Sequence, residues 1–446
     1  MISQNAKDTI AEIRKEKQES GVDVHARTQT PVGIDEVVET IKDLGETRGW
    51  IMKVILAVYV STFLEKESPV WMMLVGNPSS NKTTLTDLLK KSADIFALDT
   101  MTANPFISGQ KETKKDKAKD LLPLLDGKCF IIKEYGAFFG RSDEMVKQLL
   151  SDLTAIYDGE YLKHSPTRGT IQYKSTFSHI GCVTPQTLNN RQKYMNSVGA
   201  RFLFMRIPTL TEEERNQCLT DFWDGKKRKS KSEIAELVAQ FCETMRNKIK
   251  EGVDITFSKK SQKILNNYAN LIARTRGIVI TEASTFKTSE GKKQTHYEVV
   301  DTQIEEPFRA LKQIQKLSRS LSIVSNRNSV GEEELEIVRK IVLSSMPTRR
   351  ADILKVFERG QTFTAKSASD SLKKNYKTVK RNFDEMVALG VLENSHGENQ
   401  QAHEYSLKPE FCPCLSIDFS ESESEIVTSE YVEKSFSEEE LNSLPF

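Results

Sequence analysis

Proline is sparse in this chain, 13 in 446 residues, and no segment repeats at a collagen-like or solenoid period, which excludes fibrous and repeat architectures. Cysteine is scarce too. The six present, at 129, 182, 218, 242, 412 and 414, show no paired framework, so a disulfide scaffold is excluded and reduced thiols are expected. Long apolar runs are also missing: the longest, Trp50 to Leu64, contains Lys53 and falls short of the ~20 residues that cross a bilayer. No membrane span is expected. The N-terminal MISQNAKDTIAEIRKEKQ lacks the apolar stretch of a secretory signal, and a cytoplasmic location is expected.

What is present is a globular mix, 38% apolar and 28% charged, long enough for roughly two to four domains of ~100–200 residues. The net charge of +1 conceals a division. Residues 412–446 hold nine acids and one base, a net −8 that leaves +9 on the first 411 residues. A basic body suits a polyanionic partner such as DNA. The acidic, serine-rich tail is too polar to build a core and is expected to be disordered.

The expected organisation runs as follows along the chain. Residues 1–34 read as a flexible N-terminal segment. Residues 35–210 read as an α/β unit. Helical spacing over Ile34 to Leu64 precedes four continuous apolar runs, Val70–Val75, Cys129–Ile132, His179–Val183 and Arg201–Ile207. Strands buried on both faces of a mostly parallel sheet carry such runs. Residues 211–346 read as helical, with helices over Glu212–Asp224, Glu233–Glu251, Lys259–Thr275, Phe308–Val324 and Glu332–Ser345 and a β-like interruption near 278–300. Residues 347–411 read as a winged helix-turn-helix: helices over Arg349–Arg359, Ser367–Lys373 and Tyr376–Leu389, then VLEN, a glycine turn and HEYSLK. Residues 412–446 are the acidic tail.

Between the first apolar run and a helix beginning near Thr83 lies Gly76-Asn77-Pro78-Ser79-Ser80-Asn81-Lys82-Thr83-Thr84, the strand, loop and helix setting of a nucleoside-triphosphate P-loop. Backbone N–H groups of the turn and the helix N-terminus would cradle phosphates, Lys82 would neutralise β- and γ-phosphate charge, and the Thr83 hydroxyl would hold Mg²⁺. ATP and Mg²⁺ are thus the expected cofactors. Asn81 stands where glycine is usual. That position favours left-handed or otherwise unusual backbone angles, which asparagine tolerates. A P-loop ATPase also needs an acid at the end of a neighbouring strand. Glu134, following Cys129-Phe-Ile-Ile-Lys133, is placed for this and is the second magnesium candidate. Lys133 fills the slot where aspartate is common, so nucleotide binding without hydrolysis stays an open alternative.

Together these residues resemble AAA+ ATPases, and more narrowly the minichromosome-maintenance (MCM)-type replicative helicases and their relatives on phages, plasmids and mobile elements. GNPSSNKTTL is similar to that family's GDPG-x-A-K-S-x-L-L and FIIKEYGAFF to its Walker B strand, and the likeness continues to about Ser345. The resemblance implies a P-loop AAA+ domain with a mostly parallel sheet and a helical lid. It further implies that Thr184, after Gly181-Cys-Val, is the sensor 1 residue contacting the attacking water. Arg201, in Gly199-Ala-Arg-Phe, matches the arginine finger, which acts across a subunit boundary. Arg309, in Pro307-Phe-Arg, takes the sensor 2 slot that approaches the γ-phosphate. A homo-oligomer, expected to be a hexamer, follows.

In these helicases a hairpin before sensor 1 projects into the ring channel and touches DNA. Asp158 to Phe177 has two β-prone arms around Ser-Pro-Thr-Arg-Gly, a hairpin signal, and Lys163, His164, Arg168 and Lys174 carry the charge a DNA backbone contact needs. On the expected recognition helix Val379, Phe383 and Met386 take the core face, leaving Lys377, Lys380 and Arg381 outward as a DNA surface. Protein docking by the same unit stays open. Lysines 111, 114, 115, 117 and 119 are either a solvated face or part of a DNA path. The tail ends in Pro445-Phe446, similar to the tip of bacterial single-stranded-DNA-binding proteins. It is either a docking code for host replication proteins or solubilising charge. The expected function is a DNA-dependent ATPase working as a ring-forming DNA helicase or translocase in replication of a phage or mobile element. The alternative is a nucleotide-switched DNA-binding regulator that uses the winged helix.

Overall fold

The computed structural model describes residues 32–44, 48–64, 68–101, 106–107, 120–190, 201–224, 229–287, 293–359, 362–396 and 403–415. Residues 1–31, the lysines between 111 and 119, and the tail beyond 415 with Pro445 and Phe446 lie outside them.

Among the described residues of the first half there are seven strands: β1 (Trp71–Val75), β2 (Ile95–Leu98), β3 (Cys129–Ile132), β4 (Glu160–Ser165), β5 (Gly169–Lys174), β6 (Ser178–Val183) and β7 (Leu203–Arg206). Five form a parallel sheet in the order β2-β3-β6-β1-β7, and β4 and β5 pair as a separate antiparallel hairpin. The continuous apolar runs are explained by helices on both faces. Met72 and Leu74 of β1 enter one core layer, Trp71, Met73 and Val75 the other, so no position is left for a polar side chain. β2 is the strand that the apolar runs did not announce. It has four half-buried residues between Asp94 and Asp99, at the sheet's edge.

The helix Arg48–Ser61 is buried nearly all round and packs against β6 and the helix Phe308–Val324. Beyond β7 come helices Glu212–Trp223, Lys231–Glu251, Lys259–Arg276, Phe308–Val324 and Glu332–Ser344. Between the third and fourth stands an antiparallel ribbon of β8 (Ile278–Lys287) and β9 (Lys293–Gln303), in the expected β-like interruption. The C-terminal part includes the helix Thr348–Leu354, β10 (Phe363–Thr364), helices Ala365–Leu372 and Tyr376–Ala388, β11 (Leu392–His396) and β12 (His403–Leu407). The three strands form a sheet in the order β10-β12-β11. Val379, Phe383 and Met386 are fully buried, as their spacing requires. The apolar core on one face of the parallel sheet continues through the helices to Phe357, Phe383 and Tyr405 without a break. Arg350 reinforces the junction: its Nη1 donates to the Thr275 carbonyl (2.8 Å) and the Gly277 carbonyl (2.6 Å). Among the described residues no helix is long and apolar enough to cross a membrane.

Candidate functional site

The chain leaves β1 for the edge strand β2, returns through β3 and β6, and ends at β7 on the other side of β1. The topological switch point thus falls at β1, and ligands of open α/β sheets bind at the carboxyl ends of strands around such a point. The loop Gly76–Asn81 leaves β1 there. Gly76 N–H donates to the Val183 carbonyl (3.1 Å) and Ile207 N–H to the Val75 carbonyl (2.8 Å), pinning the loop's first residue between β6 and β7. A Cβ on Gly76 would lie 2.5 Å from Ser80 Oγ and 3.3 Å from Ile207, so only glycine lets the loop close on itself. Ser79 (φ 62°) and Asn81 (φ 67°, ψ 11°) are left-handed, which accounts for asparagine before the lysine. The Lys82 ammonium is buried in the loop, donating to the carbonyls of Gly76 (2.7 Å) and Asn77 (2.8 Å) and to Ser80 Oγ (3.3 Å). Burial pushes its pKa down, with Cys182 and Glu134 pulling the other way. Asn77, Pro78 and Thr83 are exposed and Thr84 half-buried.

Glu134 follows β3, one strand beyond β6 in the sheet. Tyr135 N–H donates to the Cys182 carbonyl (2.9 Å), and Glu134 Oε1 accepts from Gly136 N–H (2.7 Å), leaving the carboxylate exposed. Thr184 ends β6, between the loop and Glu134. Its hydroxyl lies 2.9 Å from Thr187 Oγ1 and starts the helix Pro185–Asn190. Lys133 is spoken for. It pairs with Asp99 at the end of β2 and lies 3.8 Å from Asp87 on the helix after the loop; Asp99 is the chief cause of its raised pKa and is itself held low by it. Beneath Glu134, Tyr135 Oη donates to His179 Nε2 (2.5 Å) while His179 Nδ1 donates to the Phe130 carbonyl (2.8 Å). Burial pushes the His179 pKa down to about 4. The Tyr135 ring lies over Gly181, where a Cβ would meet it at 2.5 Å.

Arg201 and Arg309 are brought to each other and not to the loop. Arg201 precedes β7 and Arg206 pairs with Val75, so at ~3.3 Å per residue Arg201 stands roughly 17 Å from the loop's level, at the other end of the sheet. Its side chain, 11% exposed, donates to the Thr154 carbonyl (3.0 Å) and to Asp158 (3.2 Å). Gln313, one turn beyond Arg309, donates to the Arg201 carbonyl (2.8 Å). Arg309 lines a cavity of about 410 Å³ with Tyr157, Asp158 and Glu305. Burial raises the Glu305 pKa, and Arg276, Arg309 and Arg201 oppose it.

The hairpin forms where the sequence places it, yet it does not gather its four basic residues. Alternation puts Lys163 on one face with Tyr161, and His164 and Lys174 on the other. Arg168 is committed elsewhere: it makes a two-pronged pair with Asp120 (3.0 and 2.9 Å), which also accepts from Tyr173 Oη (2.7 Å). That side chain holds the hairpin down and is withdrawn from solvent. On the helix Tyr376–Ala388, Lys377 is exposed, Lys380 pairs with Asp384 (2.8 Å), and Arg381 pairs with Glu385 (3.3 Å) and stacks on Tyr297 of β9 at 4.8 Å.

No protein-family model and no curated protein matches this sequence. The residues missed in the sequence are the partners: Asp99, Thr187, His179, Asp158 and Asp120. Only Tyr135 beside Glu134 and the glycine at 181 offered a local signal.

Proposed function

We propose that this chain is an ATP-hydrolysing, ring-forming DNA translocase, resembling the AAA+ helicases of the minichromosome-maintenance type. The observation that carries it is the convergence of Lys82, Thr184 and Glu134 at the carboxyl ends of three adjacent strands. In this reading the loop amides and Lys82 bind the triphosphate. Glu134 orients water and takes its proton as the water oxygen bonds to the γ-phosphorus and the bond to the ADP oxygen breaks. Thr184 contacts that water. The Thr83 hydroxyl and the Glu134 carboxylate are hard oxygen donors of the kind Mg²⁺ takes alongside phosphate oxygens and waters, and bound Mg²⁺ would neutralise phosphate charge. Arg201 and Arg309 stand at the opposite end, so both serve a neighbour's nucleotide, which demands head-to-tail assembly.

The helices of residues 211–346 act as the lid, and residues 347–411 as a winged helix. The exposed Lys377 and the outer hairpin face with His164 and Lys174 supply DNA contacts. The test is ATP turnover with and without single-stranded DNA. Stimulation supports the translocase. Turnover indifferent to single strands, with tight binding to one duplex site, is the behaviour of the nucleotide-switched regulator. No turnover under either condition rejects hydrolysis.

A further inference from the structure

We propose that Asp99 is a positioning residue of the phosphate site: it anchors Lys133 toward the outer edge of the sheet and so keeps an ammonium group clear of Thr83, where Mg²⁺ would be held. The inference rests on the reading of the loop as a triphosphate and Mg²⁺ site. Strand alternation creates the need for an anchor. Ile131 packs in the core layer that also holds Leu85 and Leu88, so Lys133, two residues on, faces the helix Lys82–Asp87. The slot where aspartate is common thus points a cation at the helix that carries Thr83. Lys133 Nζ lies 3.8 Å from Asp87 Oδ1. Asp87 is four residues beyond Thr83, its neighbour on the same helix face at roughly 5–6 Å between Cβ atoms. An ammonium free to move up by one turn would repel Mg²⁺ and pair with the same phosphate oxygens.

Two carboxylates oppose that movement. Asp87 is shared, since Lys90 Nζ lies 2.8 Å from the same Oδ1. Asp99 is placed by the sheet itself: Leu98 pairs with Ile132, and Lys133 N–H donates to the Leu98 carbonyl (3.1 Å). The parallel register therefore sets Asp99 beside Lys133 as the two strands end, and their side chains pair directly. The direction of the pull matters. β2 is the edge strand, with β3 and β6 between it and β1, about 14 Å from the loop's strand at ~4.8 Å per step. Glu134, the next residue, is turned to Gly136 N–H (2.7 Å) and takes no part in holding the lysine. The Lys133 side chain is 15% exposed and that of Asp99 79%, so Asp99 can be changed without opening the core.

The test measures binding of a fluorescent, non-hydrolysable ATP analogue to the full chain, first in EDTA and then across a Mg²⁺ titration. Asp99→Asn should raise the Mg²⁺ concentration that half-saturates the metal-dependent signal about tenfold or more, the loss usual when a residue supporting a metal site is removed. Affinity in EDTA should move the other way and tighten about twofold or more, as the released ammonium pairs with phosphate. Adding Lys133→Met to Asp99→Asn should return both values to those of the wild type. The opposite signs separate positioning from damage, because a variant that merely distorts the site loses affinity with and without Mg²⁺. A parallel loss, unchanged values, or no rescue by Lys133→Met overturns the role of Asp99 and leaves the phosphate site standing. A wild-type chain that binds the analogue neither in EDTA nor with Mg²⁺ overturns both.

Discussion

Asn81 does with a side chain what glycine usually does without one. A left-handed backbone costs an ordinary residue about 1–2 kcal/mol, and asparagine escapes much of this. Asn81→Val is therefore expected to lose about 1–2 kcal/mol in thermal denaturation, while Asn81→Gly stays within about 0.5 kcal/mol of wild type. Lys82→Ala should lower ATP turnover ~100-fold or more, the order lost with one transition-state charge donor, with circular dichroism unchanged. Unaltered turnover would reject the loop as the phosphate site. Buried His179 adds a pH dependence. Its pKa falls from 6.5 to about 4 on folding, so its contribution is complete above 6.5 and is lost as pH drops toward 4. That loss is about 3 kcal/mol at ~1.4 kcal/mol per pH unit. His179→Gln should be less stable at pH 7 yet show a shallower fall from 6.5 to 4 in denaturant titrations. Lys82, Asn81 and Glu134 were legible because their motif is local. His179 was not, since its partners Phe130 and Tyr135 reach it across the β3 to β6 pairing.

At the scale of elements, the hairpin β4–β5 was readable from its β-prone arms and turn, and its faces follow from alternation. Its contacts were not readable. Lys174 is on the open face, so Lys174→Ala should reduce the slope of log binding constant against log salt by about 0.7–0.9. Lys163→Ala, on the other face, should change it by less than about 0.2 on the same scale; equal slopes would place the DNA path elsewhere. Arg168→Ala removes the charge partner of buried Asp120 and leaves it the Tyr173 hydroxyl, so the loss should fall at or below the ~3–5 kcal/mol typical of a broken buried pair, measurable by denaturation and separable from any DNA effect. The edge strand β2 escaped notice for a related reason. Four half-buried residues give too short a pattern, and only pairing with β3 makes Ile95–Leu98 a strand.

At the scale of the molecule, Arg201 and Arg309 share one end of the sheet while the loop occupies the other. Mixing Arg201→Ala chains with Lys82→Ala chains should therefore recover turnover, since some junctions pair an intact loop with an intact arginine. No recovery would reject the composite site. The sequence by itself determined the elements: four of the five sheet strands, the helices after β7, the left-handed turn at Asn81 and the buried face of Tyr376–Ala388. Each depends on periodicity, caps and turn residues that act within a few positions of one another. Only the tertiary structure decided that Thr184 stands between Lys82 and Glu134, and that Lys133 is neutralised by Asp99. It alone bound Arg168 to Asp120 across 48 residues and joined Arg201 to Gln313 across 112. Contacts of that span are set by which strands become neighbours and which faces must be buried together, and no local spacing in a chain encodes them.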